Sequence, residues 1–289
     1  MAPVLKRWLR FPVVDPSTSP SSSCYDDINY TFKIASSRKE LFQAYRLLYE
    51  EYRKAGYVKP KASKTLFTKY HLLPDTTVFI AKKENRIFST ATIVYDSPET
   101  GLPMDCLYAE ELANLRNNHR KILEIASLAS EKSLTGFHIA TNFTRLLFLY
   151  SIFQNINDIC IMVNPRHVAY YARYFPITVF GEEKYYPKVN ALAVGLRVDV
   201  DKVRDFFERS RLIYTIGHQF FTYYLSLRIA INYNIAESIY SPEAPTKPPN
   251  FLDAATITKL LSKEDSGFLQ DLSPQFKKCL TMCYPCLEL

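Results

Sequence analysis

Apolar residues recur along this chain with two periods, and the switches between them lay out its elements. Asn29–Ala35 alternates with period two, as a half-buried strand does. Ser36 or Ser37 then stands where a helix cap belongs, and Leu41, Tyr45, Leu48 and Tyr52 follow at 4-3-4 spacing to form one stripe that Gly56 ends. Thr76–Lys82 and Arg86–Tyr95 read as two strands, and the polar Lys83, Glu84 and Asn85 between them predict a hairpin. After Pro98 and the Gly101-Leu102-Pro103 loop, a short charged helix is expected over Asp105–Asn117. A very apolar strand, Lys121–Ala129, comes next, and a long helix from about Gly136 to Phe153. Asp158–Val163 is a further strand, Asn164-Pro165 opens a helix, and Ile177–Lys184 and Val189–Val200 complete the strands.

This mixed order argues for an α+β chain with one mixed central sheet flanked by helices, not a doubly wound parallel sheet. Residues 1–28 contain Pro12, Pro16, Pro20 and the run Ser21-Ser22-Ser23, a composition too poor in apolar surface to order itself. They are read as an arm, residues 29–200 as the main domain and residues 201–289 as a helical C-terminal extension, broken at Pro242, Pro245, Pro248 and Pro249. The longest apolar stretch, Leu212–Ile231, is interrupted by His218, Gln219 and Arg228, so a spanning helix of about 20 apolar residues is not expected. Peripheral contact with a membrane through the C-terminal helices stays open.

Composition changes this picture in three ways. With 47% hydrophobic residues among 289, the chain can bury a real core, and 21 Tyr and 19 Phe imply apolar surfaces carrying hydroxyl handles, suited to a greasy ligand. The net charge of +7 is spread among acidic residues without a basic arm, which argues against nucleic acid and for a compact acidic partner. The six cysteines are unevenly spread and no apolar leader opens the chain, so a cytoplasmic, reduced protein is expected. Cys279, Cys283 and Cys286 have metal-like spacing, but no fourth ligand stands nearby and no metal is expected.

Three segments carry more specific information. Asp96-Ser97-Pro98 runs through Gly101-Leu102-Pro103-Met104-Asp105 to Arg116; Leu123-Glu124-Ile125-Ala126-Ser127-Leu128-Ala129 forms the central strand; and Val163-Asn164-Pro165-Arg166-His167 leads to Tyr170-Tyr171 and Tyr185-Tyr186-Pro187-Lys188-Val189-Asn190-Ala191. Together with the helix from Tyr45-Arg46 to Gly56-Tyr57, these segments resemble the bacterial N-acyl amino acid synthases of the long-chain N-acyltyrosine synthase type. Those share a GNAT-like fold with acyl-homoserine lactone synthases. The resemblance covers roughly residues 31–200. It implies an N-acyltransferase that moves a long-chain acyl group onto the amino group of an amino acid, tyrosine among them. The donor is an acyl carrier protein or CoA thioester, a co-substrate with no tightly bound cofactor beside it.

Within the central strand, alternation places Glu124 with Ile122, Ala126 and Leu128, and Leu123, Ile125 and Ala129 on the other face. Burial of that carboxylate raises its pKa toward the range of a general base, which the reaction needs because an amino acid arrives as an ammonium. The competing reading is a structural carboxylate paired to an arginine. Ala126, Ser127 and Ala129 leave room for a thioester against backbone amides that could hold an oxyanion, with Ser127 a lining residue and not a nucleophile. The turn after this strand has a single Gly, so Lys132, Ser133 and Gly136 are expected at the phosphate of a phosphopantetheine arm and not at a pyrophosphate; a plain connection is the alternative.

Asn164-Pro165 has the form of a helix cap, and Asn164 and Arg166 stand at a strand end where substrate could lie. Arg46 projects off the apolar stripe, as a solvated residue would; the resemblance makes it a candidate for the acceptor carboxylate. Two other functions compete. A homoserine-lactone synthase is disfavoured because Ser127 stands where that family has Arg, and the single Trp, Trp8, lies in the arm. A silent docking module has no use for Glu124.

Overall fold

The computed structural model describes residues 30–131, 154–209, 230–231, 253–262 and 272–287, together with residue 268 and most of 143–151. Among the described residues eight strands make one mixed sheet: β1 (Thr31–Ile34), β2 (Thr77–Lys83), β3 (Arg86–Tyr95), β4 (Ile122–Ser130), β5 (Asp158–Val163), β6 (Thr178–Tyr186), β7 (Ala191–Asp199) and β8 (Ala230–Ile231). Their spatial order is β6-β7-β5-β4-β3-β2-β1-β8. Pairing is antiparallel except between β4 and β5 and between β1 and β8. Among the described residues the helices include α1 (Arg38–Lys54), α2 (Asp105–Asn117), α3 (Val168–Tyr174), α4 (Val200–Arg209), α5 (Ala254–Leu261) and α6 (Pro274–Cys283).

Local chemistry explains the boundaries. Ser37 caps α1 by accepting from Glu40 N–H at 3.2 Å, and Gly56 ends it at φ +78°, a conformation other residues adopt at a cost. The hairpin turn between β2 and β3 is tighter than its three polar residues suggest, with Glu84 at φ +53° and Lys83 paired directly to Arg86. Glu40 is nearly buried and held by Lys33, Lys82 and Ser36, so its pKa falls to about 2 against the opposing effect of burial. That cluster pins the first turn of α1 to β1 and β2.

The sheet divides two cores. On one face, Phe32, Phe79, Leu123, Ile125 and Ile159 pack with Phe143, Phe148 and Phe175. On the other, Leu41, Ala44 and Tyr45 of α1 meet Leu112 and Leu115 of α2 over Ile80, Val94 and Ile122. The C-terminal residues complete this second core: Ile257, Leu260, Phe276, Leu280 and Leu287 are all buried in it. Phe276 meets Tyr70 edge-on at 6.1 Å, and burial of each such side chain contributes about 1.5–3 kcal/mol. The extension is not wholly helical as the sequence suggests, because Ala230–Ile231 pairs in parallel with Thr31–Phe32. Among the described residues no helix is long and apolar enough to cross a membrane.

Candidate active site

The centre of the sheet has a break in its hydrogen bonding. β4 and β5 pair over three positions only, Ile122 to Asp158, Leu123 to Ile159 and Glu124 to Cys160. Beyond Glu124, β4 continues along β3 while β5 continues along β7, so the edges that face each other lose their ladder. The closed end is held by wholly buried Asp158, which pairs with Arg120 and, at 2.6 Å, with Arg197. Arg120 reaches on to Asp199 at 3.3 Å.

β4 also bulges just past that break. Thr92 pairs with Ala126 and Thr90 with Ala129, so Ser127 and Leu128 together face Ala91 alone, and Ser127 takes φ +53°. Faces therefore exchange at this point. Leu128 packs with the core of Leu123 and Ile125 instead of standing beside Glu124, which corrects simple alternation; Ala129, paired with Thr90, comes to the side of Glu124, which is paired with Val94. No glycine marks the bulge in the sequence, so periodicity runs through it unseen.

Glu124 sits at the last paired position, 1% exposed. Its Oε2 accepts from Met104 N–H at 2.8 Å, and among the described residues no Lys or Arg pairs with it. Burial lifts its pKa well above 4.5; the Met104 N–H pulls the other way, and the charge of Asp105 adds to the rise. The loop supplying that N–H is tightly fixed. Arg116 forks onto Asp96 at 2.8 and 2.7 Å and onto Asp105 at 2.6 and 2.8 Å. Asp105 Oδ2 accepts from Leu102 N–H at 2.7 Å, and the Leu102 carbonyl accepts from the Tyr70 hydroxyl at 2.8 Å. Gly101 stands at φ +60° with Asp105 Oδ2 only 2.6 Å from where a Cβ would be, so that position requires glycine.

Burial raises the pKa of a carboxyl that one backbone amide aims and that lies where a central sheet opens, a setting suited to proton transfer. The family model of the N-acyl amino acid synthase FeeM matches residues 43–199, more than half of the chain. The chain belongs to the N-acyl amino acid synthase family. Among solved structures, FeeM from uncultured soil microbes shares 27% identity at a TM-score of 0.53, over 61% of this chain and 93% of its own. The acyl-homoserine lactone synthase LasI shares 14% at 0.47 over 59% and 90%, and the CoA-dependent synthase BjaI 12% at 0.48 over 74% and 99%. No curated protein sequence matches the chain.

This synthase is an N-acyltransferase with a GNAT-like fold, and its other singled-out residues fall in several places. Ala126 and Ser127 are partly exposed at the bulge and Ala129 is buried beside it. Asn164 is a cap in fact, accepting from Arg166 N–H at 3.3 Å and donating to the Leu192 carbonyl at 3.4 Å. Arg166 is exposed and donates to the Tyr57 hydroxyl at 3.1 Å; Tyr57 meets Tyr52 edge-on at 5.6 Å. Lys132, Ser133 and Gly136 lie outside the described residues. Arg46 lines a shallow cavity of about 260 Å³ with Gln43, Glu50, Asn85, Arg86 and Glu131, and Glu124 is not part of that lining. Among the described residues no group of His, Cys, Asp and Glu converges on a metal position.

No motif assigns a role to the hydroxyl groups around Glu124. Tyr52, Tyr70 and Tyr186 all feel its charge, as does Cys106. Burial pushes Tyr52 up to about 12 and holds Tyr70 and Tyr186 higher still, so all three keep their protons as hydrogen-bond donors. Tyr52 reads as part of the apolar stripe of α1, and Tyr70 belongs to no motif. Tyr186 stands in the third of the family-like segments, and for Tyr70 the high tyrosine count is the signal that could have pointed to it.

Proposed function

We propose that this synthase transfers a long-chain acyl group from an acyl carrier protein thioester to the amino group of an amino acid, with Glu124 as general base. The carrying observation is Glu124 itself: a buried carboxyl with no cationic partner among the described residues, at the last rung before β4 and β5 part. Among the described residues no arginine pairs with it, which supports this reading over a structural glutamate paired to arginine. The thioester lies along the unpaired edge of β4, where the small side chains of Ala126, Ser127 and Ala129 admit it and backbone N–H groups face the developing oxyanion.

The acceptor arrives as an ammonium. Glu124 takes one proton from it, directly or through a bridging water. The freed nitrogen attacks the carbonyl carbon, the carbon–nitrogen bond forms, the carbon–sulfur bond breaks, and the second nitrogen proton passes to the departing thiol. Lys132, Ser133 and Gly136 take the phosphate of the carrier's arm, and the +7 charge of the chain favours an acidic carrier. The test is mass spectrometry of lipid extracts from cells expressing the protein, followed by purified turnover with acyl carrier protein and each of the twenty amino acids. An N-acyl amino acid product names acyl length and acceptor together; absence of any such product refutes the reading.

A further inference from the structure

On the face of the sheet that carries Glu124 lies a hydroxyl that the proposed reaction leaves unused. Thr92 of β3 pairs with Ala126, and Val94 pairs with Glu124. The side chains of Thr92 and Glu124 therefore stand on either side of Ala126, diagonal neighbours about 7–8 Å apart across the strand pair. Val78, which belongs to the second core, pairs with Thr92 and confirms the face. The short turn Lys69–Leu72 ties both residues to one place. His71 Nε2 lies 2.9 Å from Thr92 Oγ1, while Tyr70, one residue earlier, donates to the Leu102 carbonyl in the loop whose Met104 N–H holds Glu124.

The direction of the His71–Thr92 bond follows from the far side of the ring. His71 Nδ1 lies 2.9 Å from Thr68 N, and a backbone N–H can only donate, so Nδ1 offers its lone pair and Nε2 carries the proton. His71 therefore donates to Thr92. Burial lowers the His71 pKa to about 4, so the ring stays neutral near pH 7. Thr92 then has its own proton to give, and among the described residues nothing accepts it. Glu124 has the complementary need: Met104 N–H satisfies Oε2, and no described residue donates to Oε1. A buried donor and a buried acceptor, both short of a partner on either side of one alanine, call for a small group that accepts from the first and donates to the second.

Water does both and keeps a lone pair for the acceptor's ammonium. We propose that Thr92, oriented by His71, holds the water through which the acceptor's proton reaches Glu124. This rests on the acyl-transfer reading above. One N–H bond of the ammonium breaks as its proton joins the water, and the water passes a proton of its own to Glu124 Oε1 and is neutral again. The amine keeps the freed lone pair for attack on the thioester. Thr92, Glu124 and the ammonium give the water about three hydrogen bonds, the usual number for a buried one. Thr92 and His71 are positioning residues, since neither exchanges a proton with the substrate.

The experiment is a mutant cycle with the best amino acid acceptor: wild type, Thr92→Val, Thr92→Ser, His71→Phe, Glu124→Gln, and Glu124→Gln joined to Thr92→Val or to His71→Phe. Melting temperature is followed for each protein. Thr92→Val keeps the shape and removes the donor, and should lower kcat roughly 10- to 100-fold while KM for the acceptor moves by no more than about twofold. Thr92→Ser keeps the hydroxyl and should stay within about fivefold of wild type. His71→Phe leaves the hydroxyl unoriented and should lower kcat by less than Thr92→Val does. Coupling decides the matter: once Glu124→Gln has removed the base, either added substitution should cost no more than about twofold, because the path served by the water is already gone. Losses that multiply, or a folded Thr92→Val with wild-type kcat, overturn the relay while leaving acyl transfer intact. Where Thr92→Val fails to fold, the His71→Phe pair decides in its place. No turnover by wild type with any amino acid refutes the functional reading instead.

Discussion

Replacing Glu124 with Gln tests the chemistry most directly. Gln keeps the volume and can still accept from Met104 N–H, and no ion pair among the described residues is broken, so the second core has no reason to collapse. Removing a general base commonly costs 10²- to 10⁴-fold in turnover, roughly 2.7–5.4 kcal/mol of barrier. The deficit should shrink as pH rises, because more of the acceptor amine is then already deprotonated. Stability should move the other way. The native pKa of Glu124 is raised, so its favourable contribution is complete below about pH 4.5 and is lost as pH climbs toward the native value, at about 1.4 kcal/mol for each pH unit between the two. Gln carries no such loss, so its melting temperature should gain on wild type across that window. Thermal unfolding and pH–rate profiles on the same preparations read both effects. A folded Gln variant with near-normal turnover removes Glu124 from the mechanism, and a deficit independent of pH makes it structural.

Acyl groups on a carrier protein should react faster than the same groups on CoA, with an advantage that fades as salt shortens screening to about 10 Å at 0.1 M; equal rates at low salt would refute carrier preference. Arg116→Lys keeps one charge but loses the fork across Asp96 and Asp105, and should cost roughly 1–3 kcal/mol in unfolding experiments and lower turnover through a displaced Met104 N–H. Gly181→Ala would place a Cβ 2.3 Å from the Tyr108 ring, whose hydroxyl is tied at 2.9 Å to Glu182 and 2.8 Å to Ala193. A loss of about 1–3 kcal/mol is expected, and an unchanged melting temperature would mean that the ring yields freely.

Period and cap residues made most of the architecture readable: α1, the β2–β3 hairpin, α2 and β5 fall within a residue or two of where apolar spacing puts them. The burial of Glu124 was readable for the same reason, since a lone carboxylate in an apolar central strand has few places to go. What escaped depends on partners distant in sequence. The bulge at Ser127 arises from how β4 meets β3, and nothing local distinguishes that serine from a regular strand residue. Tyr70 and Lys69 gain their place from Leu102 and Phe276, and β8 exists only because β1 offers it an edge. Arg46 shows the converse: its helix was legible, but an exposed position says nothing about which cavity it borders.

The C-terminal share of the second core has a consequence for how the chain reaches its native state. Leu41 and Tyr45 of α1 share that core with Phe276, Leu280 and Leu287, which follow far along the chain. Until those residues dock, Leu41, Tyr45 and Tyr70 have only part of their eventual surroundings, and the loop that must close is long. A chain in which α1 forms before the C-terminal segment docks therefore carries an exposed apolar surface, a natural binding site for a chaperone. Chains truncated before residue 272 should be sensitive to protease within α1, and the 289-residue chain should protect it.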